Sequence, residues 1–265
     1  RAKMIPSERA DFICKQLNIT VNTDDMQFVQ PEVNKRNDAM IDMESLLGRR
    51  CYGGFDLSTR EDFTAAALEF PLDDGRVFVL LHTWVPRRKV ELDQEKIDYY
   101  GLAMRGHLTI VEGEYVRQED VYDWFCEQAK KYEIVTIGYD PANATRLRQM
   151  LEGRGFACEV VRQGPVTLND PMKDIKELLL AGRVVSNRDP MLLWYTDNVR
   201  LSGERRHADK QNWMPTKRNK FRKIDGFMAW LDAHCINMQK NPAGEIYHKP
   251  AVRVIDIRSR QRAAR

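Results

Sequence analysis

The run Ile134-Val135-Thr136-Ile137-Gly138-Tyr139 limits the possible folds more than any other stretch of the chain. It is apolar at nearly every position, so neither of its faces suits water, and such a run reads as a strand covered on both sides. Helical spacing flanks it. Residues 116–132 set Val121, Trp124, Phe125 and Ala129 on one stripe, and residues 143–151 continue as a helix that stops near Gly153 and Gly155. A strand with a helix before it and a helix after it belongs in a sheet with parallel neighbours.

Upstream, residues 51–58, 63–70 and 77–84 form three strand-like runs, the last two joined by the hairpin signal Leu72-Asp73-Asp74-Gly75-Arg76. Their short connections make them antiparallel neighbours. With residues 134–139 and a fifth strand at 157–161, the expected fold is a mixed α/β sheet, three antiparallel strands plus two parallel strands, flanked by helices. Further helices are expected over residues 93–105, 167–181 and 224–238, with 184–198 partly extended and 202–219 a polar loop. Residues 1–45, including a helix at 7–17, read as a linker. Residues 46–240 read as the folded domain, and 241–265 as a basic tail.

At 265 residues with 43% hydrophobic content the chain can bury a proper core. Its 42 Lys and Arg against 39 Asp and Glu leave a net charge of +3, too slight to argue for nucleic acid by itself. The five cysteines are scattered with no Cys-x-x-Cys pair, which reads as reduced thiols and no zinc site. No apolar run approaches the roughly 20 residues of a spanning helix, so no membrane is expected. The start Arg1-Ala2-Lys3-Met4 is no signal peptide and suggests a piece of something longer.

Three carboxylates carry the candidate chemistry. Asp56 ends the strand Gly53-Gly54-Phe55-Asp56, Asp140 follows the buried strand, and Asp225 opens the helix at 224–238. Ligands of open α/β sheets gather beyond the carboxyl ends of strands. If the strands ending in Asp56 and Asp140 are parallel neighbours, the two acids stand roughly 5 Å apart, and a helix crossing the sheet can add Asp225. An all-oxygen set of this kind suits magnesium or manganese. Each acid also has an ordinary account: Asp140-Pro141 can cap the next helix, and Asp225 can complement a helix dipole. Lys217, Arg218, Lys220, Arg222 and Lys223 place five cations just ahead of Asp225, either a solvated loop or a grip on phosphates.

Three stretches in order, Gly53-Gly54-Phe55-Asp56-Leu57-Ser58-Thr59, Ile137-Gly138-Tyr139-Asp140-Pro141-Ala142-Asn143 and Lys223-Ile224-Asp225-Gly226-Phe227-Met228-Ala229, resemble the C-terminal nuclease half of a tailed-phage terminase large subunit. Residues 163–169 and 194–199 are similar to its linking segments. The resemblance implies an RNase H-like fold and a metal-dependent endonuclease that cuts concatemeric double-stranded viral DNA. It implies that Asp56, Asp140 and Asp225 are the catalytic, metal-binding acids. Asp56 would bridge two Mg2+ or Mn2+ ions, with Asp140 on one and Asp225 on the other, and hydrolysis would leave 3′-hydroxyl and 5′-phosphate ends. Implied partners are the ATPase half of the same protein, the small terminase subunit and the portal ring, in the cytoplasm of an infected bacterial host. A Holliday-junction resolvase-like nuclease of the same fold, or a non-enzymatic module docking on portal or DNA, is the alternative.

Overall fold

The computed structural model describes residues 27–241 apart from 59–61, 203–204, 208–209, 212, 218 and 220. The helix expected at 7–17 and the basic tail lie outside the described residues, as do Arg218 and Lys220.

Helix α1 (Pro31–Lys35) and a single 3-10 turn (Met43–Leu46) lead into strands β1 (Arg50–Asp56), β2 (Thr64–Pro71) and β3 (Val77–Pro86). Helices α2 (Arg87–Leu92) and α3 (Tyr99–Met104) precede β4 (Thr109–Val111). Then α4 (Gln118–Ala129), β5 (Glu133–Tyr139), α5 (Thr145–Arg154) and β6 (Cys158–Val160) alternate. After α6 (Pro165–Leu180) come β7 (Val184–Val185), α7 (Pro190–Asn198) and the short strands β8 (Val199–Ser202), β9 (Arg205–His207), β10 (Lys210–Gln211) and β11 (Met214–Lys217). Helix α8 (Asp225–Lys240) closes the described chain.

The main sheet has seven strands in the order β4-β3-β2-β1-β5-β6, with β7 also on β3. β1, β2 and β3 are antiparallel in turn, and β1–β5 and β5–β6 are parallel, as expected. β4 and β7 are additions: both pair in parallel with β3, at opposite ends of it. Successive residues of the central strands feed two separate cores. Tyr52, Ala65 and Ala67 face a core with α6, α7 and α8, while Phe55, Ala66 and Leu68 face one with α4 and α5. That two-sided burial is why the strands read as continuous apolar runs.

Helix α8 lies directly on the sheet, and two glycines make this possible. Gly54 and Gly138 are register partners on β1 and β5. A Cβ on Gly54 would stand 2.2 Å from the Ala229 carbonyl oxygen, and one on Gly138 would stand 2.7 Å from that of Asp232. With no side chains between them, the helix backbone and the sheet touch. Phe227, Trp230, Leu231 and Ile236 are then all buried, each contributing about 1.5–3 kcal/mol.

Three expectations are corrected. The helix expected over 93–105 starts only at Tyr99, because Asp93 and Lys96 adopt left-handed backbone (φ 41° and 55°). The buried Lys89–Glu95 pair at 2.9 Å and the Tyr99 hydroxyl donated to Glu95 at 2.8 Å hold that turn in place. Residues 184–198 are extended only at Val184–Val185 and helical from Pro190: Asp189 accepts from the Met191 and Leu192 amides, with Pro190 in the first turn. The expected polar loop 202–219 contains an antiparallel pairing of β8 with β11, Val199 opposite Lys217.

The start of the described chain packs into the same body. Phe28 is buried with an edge-on contact to Phe227, and Asn37 donates to the Leu179 carbonyl at 2.9 Å.

Candidate active site

Strand register builds the first half of the site. Phe55 pairs with Tyr139 on the parallel strands β1 and β5, so the next residues, Asp56 and Asp140, emerge side by side at the carboxyl edge. Strand spacing there is roughly 5 Å. Asp140 also makes the turn its sequence suggested, its Oδ1 accepting from the Ala142 amide at 3.0 Å. It does not cap the next helix as Asp140-Pro141 suggested: the N-cap of α5 is Ala144, with no side-chain cap bond, and Asp140 serves the turn ahead of it.

Helix α8 builds the second half. Asp225 is its first residue and only 7% exposed. Its Oδ2 is buried with no hydrogen-bond partner. The floor below is Tyr195, whose ring a Cβ on Gly226 would meet at 2.3 Å and whose hydroxyl lies 3.3 Å from that of Thr83.

The electrostatics tie these groups together. Burial, then the Asp225 charge, push the Asp56 carboxyl well above its ordinary range, with Asp140 and Asp62 adding and Lys217 opposing. Burial pushes Asp225 up to about 6, Lys217 pulls it down and Asp62 raises it. Desolvation together with neighbouring like charge is the combination that marks functional carboxylates. As placed, no three His, Cys, Asp or Glu side chains among the described residues stand close enough to share one ion. Asp56 and Asp140 border a cavity, with Asp225 next to the cavity residue Ile224 at the start of α8.

That cavity, of about 270 Å³, is bounded by Asp56, Asp140, Asp232, Gln163 and Lys217 over apolar walls. Beyond the same strand ends a larger cleft of about 670 Å³ runs past Ser58, Asn143, Tyr115, Arg117 and Arg146.

The five cations separate. Lys217, on β11, is exposed, lines the smaller cavity and opposes the rise of both Asp56 and Asp225. Arg222 is half-buried in the turn before α8. Lys223 is buried, its Nζ 2.7 Å from Asp62 Oδ2, so it ties the β1–β2 connection to the start of α8. Three participants escaped the sequence reading. Asp62 is spoken for by Lys223, Tyr195 is a floor, and Asp232 lines the cavity. The signal for Asp232 was its spacing, seven residues after Asp225 and hence on the same helix face two turns on.

Fold and edge together define a class: an RNase H-like α/β domain that collects carboxylates where two parallel strands end and a helix begins. The chain belongs to the family described as terminase large subunit, endonuclease domain, whose family model matches residues 2–239. Protein YmfN of Escherichia coli (strain K12) is 25% identical over 236 residues, covering 84% of this chain and 50% of its own length. The terminase large subunit of Enterobacteria phage HK97 is 26% identical over 149 residues, 54% of this chain and 29% of that protein. The crystal structure of the HK97 large terminase matches with a TM-score of 0.71 at 20% identity, over 86% of this chain and 47% of that one. The chain therefore spans half or less of these relatives.

Proposed function

We propose that this chain is a divalent-cation-dependent endodeoxyribonuclease that cuts concatemeric double-stranded viral DNA for genome packaging. The observation that carries the proposal is the buried, partnerless Oδ2 of Asp225 beside the raised Asp56 carboxyl. An uncompensated buried carboxylate such as Asp225 is expensive, and with the half-buried Asp56 and Asp140 near the same edge it calls for a cation. The donors fit a hard ion, being all oxygen with room in the cavity for water. Asp56 would be shared between two Mg2+ or Mn2+ ions, Asp140 would serve one and Asp225 the other. When bound, such a pair supplies an activated water and offsets charge on the leaving oxygen of a phosphodiester.

The chain's own groups do the rest. Asp56 and Asp140 are fixed by β1–β5 pairing and Asp225 by the close seat of α8, so the acids are held before substrate arrives. Lys217 stands where it offsets phosphate charge. The exposed guanidiniums of Arg117 and Arg146 border the larger cleft, where a strand backbone leaving the site would pass. Binding of this sort is phosphate-dominated and weakens steeply with salt.

We further propose residues 46–240 as the nuclease unit, extended at its start by residues 28–45 that pack into the same body, with an ATPase half, a small terminase subunit and a portal ring as partners in the host cytoplasm. Among the described residues no helix is long and apolar enough to cross a membrane.

Conversion of supercoiled plasmid to nicked and linear forms tests the activity, with Mg2+, with Mn2+ and with chelator, for wild type and Asp225→Asn. Cation-dependent cutting lost in the variant is expected. Equal cutting by the variant would overturn the reading, and a preference for four-way junctions over plasmid would favour the resolvase alternative.

A further inference from the structure

The buried acids of this fold are of two kinds. Glu69 on β2 accepts from Trp230 Nε1 at 2.6 Å, Asn237 Nδ2 at 2.6 Å and His234 Nδ1 at 2.9 Å. Glu95 has Lys89 and the Tyr99 hydroxyl. Both are neutralised or fully bonded, as structural carboxylates in a core must be.

Asp232 is different. It is 1% exposed, yet its one side-chain donor is Gln163 Nε2, 3.0 Å from Oδ1. The backbone amide of Asp140 also favours its carboxylate, while the charges of Asp56 and Asp140 disfavour it. Among the described residues no Lys or Arg forms an ion pair with it, although Lys217 lines the same cavity. A carboxylate in the middle of a helix seated on the sheet has no capping or dipole role to explain it.

The acids also sort by neighbourhood. Asp56, Asp140 and Asp232 line one cavity, whereas Asp225 opens α8 next to the buried Lys223–Asp62 pair, and its charge acts on Asp56. Two carboxylate groups that share Asp56 are what two cations sharing one bridging ligand require. The partnerless Oδ2 of Asp225 is independent evidence that this edge is built for cations.

We propose that Asp232 is a fourth carboxylate of the cation-binding edge, facing with Asp56 and Asp140 the cavity where the second ion would bind. The waters such an ion keeps would span the separations that leave these acids too far apart to share it directly. Gln163 is a positioning residue that holds the Asp232 carboxylate toward the cavity. The inference rests on the nuclease reading, and adds that one of the two ions depends on a residue from the middle of α8.

The test is a calorimetric titration of the chain with Mn2+, for wild type, Asp140→Asn and Asp232→Asn, with melting temperatures recorded in chelator. Asparagine keeps the shape and can still accept from Gln163, so only the buried charge is removed. The expected result is two binding steps in wild type, one of them weakened at least about tenfold by Asp232→Asn and by Asp140→Asn alike. The melting temperatures in chelator establish that each variant is folded. Mn2+ binding unchanged in a folded Asp232→Asn, or an Asp232→Asn that does not fold, would make Asp232 a structural residue and overturn the inference. A wild type that binds no Mn2+ would overturn the nuclease reading with it, which distinguishes the two failures.

Discussion

Replacing Gly54 with alanine tests whether the seat of α8 makes the site. The new methyl would sit 2.2 Å from the Ala229 carbonyl oxygen and 2.5 Å from the Ala233 amide nitrogen. Both neighbours are helix backbone, so no side chain can rotate away. Ordinary contact needs a separation more than 1 Å larger, so the helix must lift by on the order of 1 Å, and overpacking of this kind costs about 1–3 kcal/mol. For a domain of this size, each kcal/mol lowers the melting temperature by roughly 2–4 °C. The same displacement carries Asp225 and Asp232 away from Asp56 and Asp140, and a misplacement on the order of 1 Å can cost about 100-fold in rate. Gly153 is the control: it lies in α5 with no positive φ, and an added methyl group there would meet nothing within 4 Å. Gly153→Ala should be neutral or stabilising by up to about 1 kcal/mol. Chemical denaturation, Mn2+ titration and plasmid cutting read the three effects. If Gly54→Ala melts like wild type and binds Mn2+ equally well, the close seat does not position the acids and the reasoning fails.

Other outcomes follow from the charges. Asp225 is raised to about 6, so Mn2+ affinity should fall by up to tenfold per pH unit below that value, as protons compete for the carboxylate. Because its folded pKa lies above the unfolded one, the metal-free chain should lose about 3 kcal/mol as pH rises from near 4 through 6, and Mn2+ should restore it. Melting curves at pH 5 and 7.5, with and without Mn2+, check both signs. His234 is the opposite case in origin: burial alone would depress it, but Glu69 and Asp174 hold it at about 9. Its contribution of about 3 kcal/mol is complete below pH 6.5 and disappears as pH rises through 9. His234→Gln should flatten that part of the stability profile, and an unchanged slope would refute the charged Glu69–His234–Asp174 chain. Arg117→Glu with Arg146→Glu should reduce the salt dependence of DNA binding by about two phosphate contacts. Stability should shift little, since both cations pair only with exposed or half-buried acids; anisotropy titrations at several salt concentrations decide it.

What the sequence disclosed, and what it hid, has a common physical cause. Asp56, Asp140 and Asp225 each stand at the end of a periodic element, where a break in pattern draws the eye, and the register of β1 with β5 needed only that both be strands. Asp232 sits inside an amphipathic run, where one charge in a helical stripe looks like its solvent edge; only the near-complete burial of α8 shows that no such edge exists there. Lys217 depends on the β8–β11 pairing, and with Pro215 among its few residues β11 carries little strand signal. The break at Asp93 and Lys96 is held by Lys89, Glu95 and Tyr99, contacts no propensity records. The start of α7 does carry a signal, Asp189-Pro190, a cap followed by a first-turn proline, which the reading of 184–198 as partly extended passed over.

The glycine pair shows the limit most clearly. Gly54 and Gly138 read singly as weak points in two strands, since glycine lacks a side chain to pack. Placed opposite each other by the register, they become the flat patch on which α8 rests. The acids are therefore brought together by residues that carry no chemistry. Substitutions at either glycine should behave like damage to the active site, although neither glycine bears a group that could touch DNA or an ion.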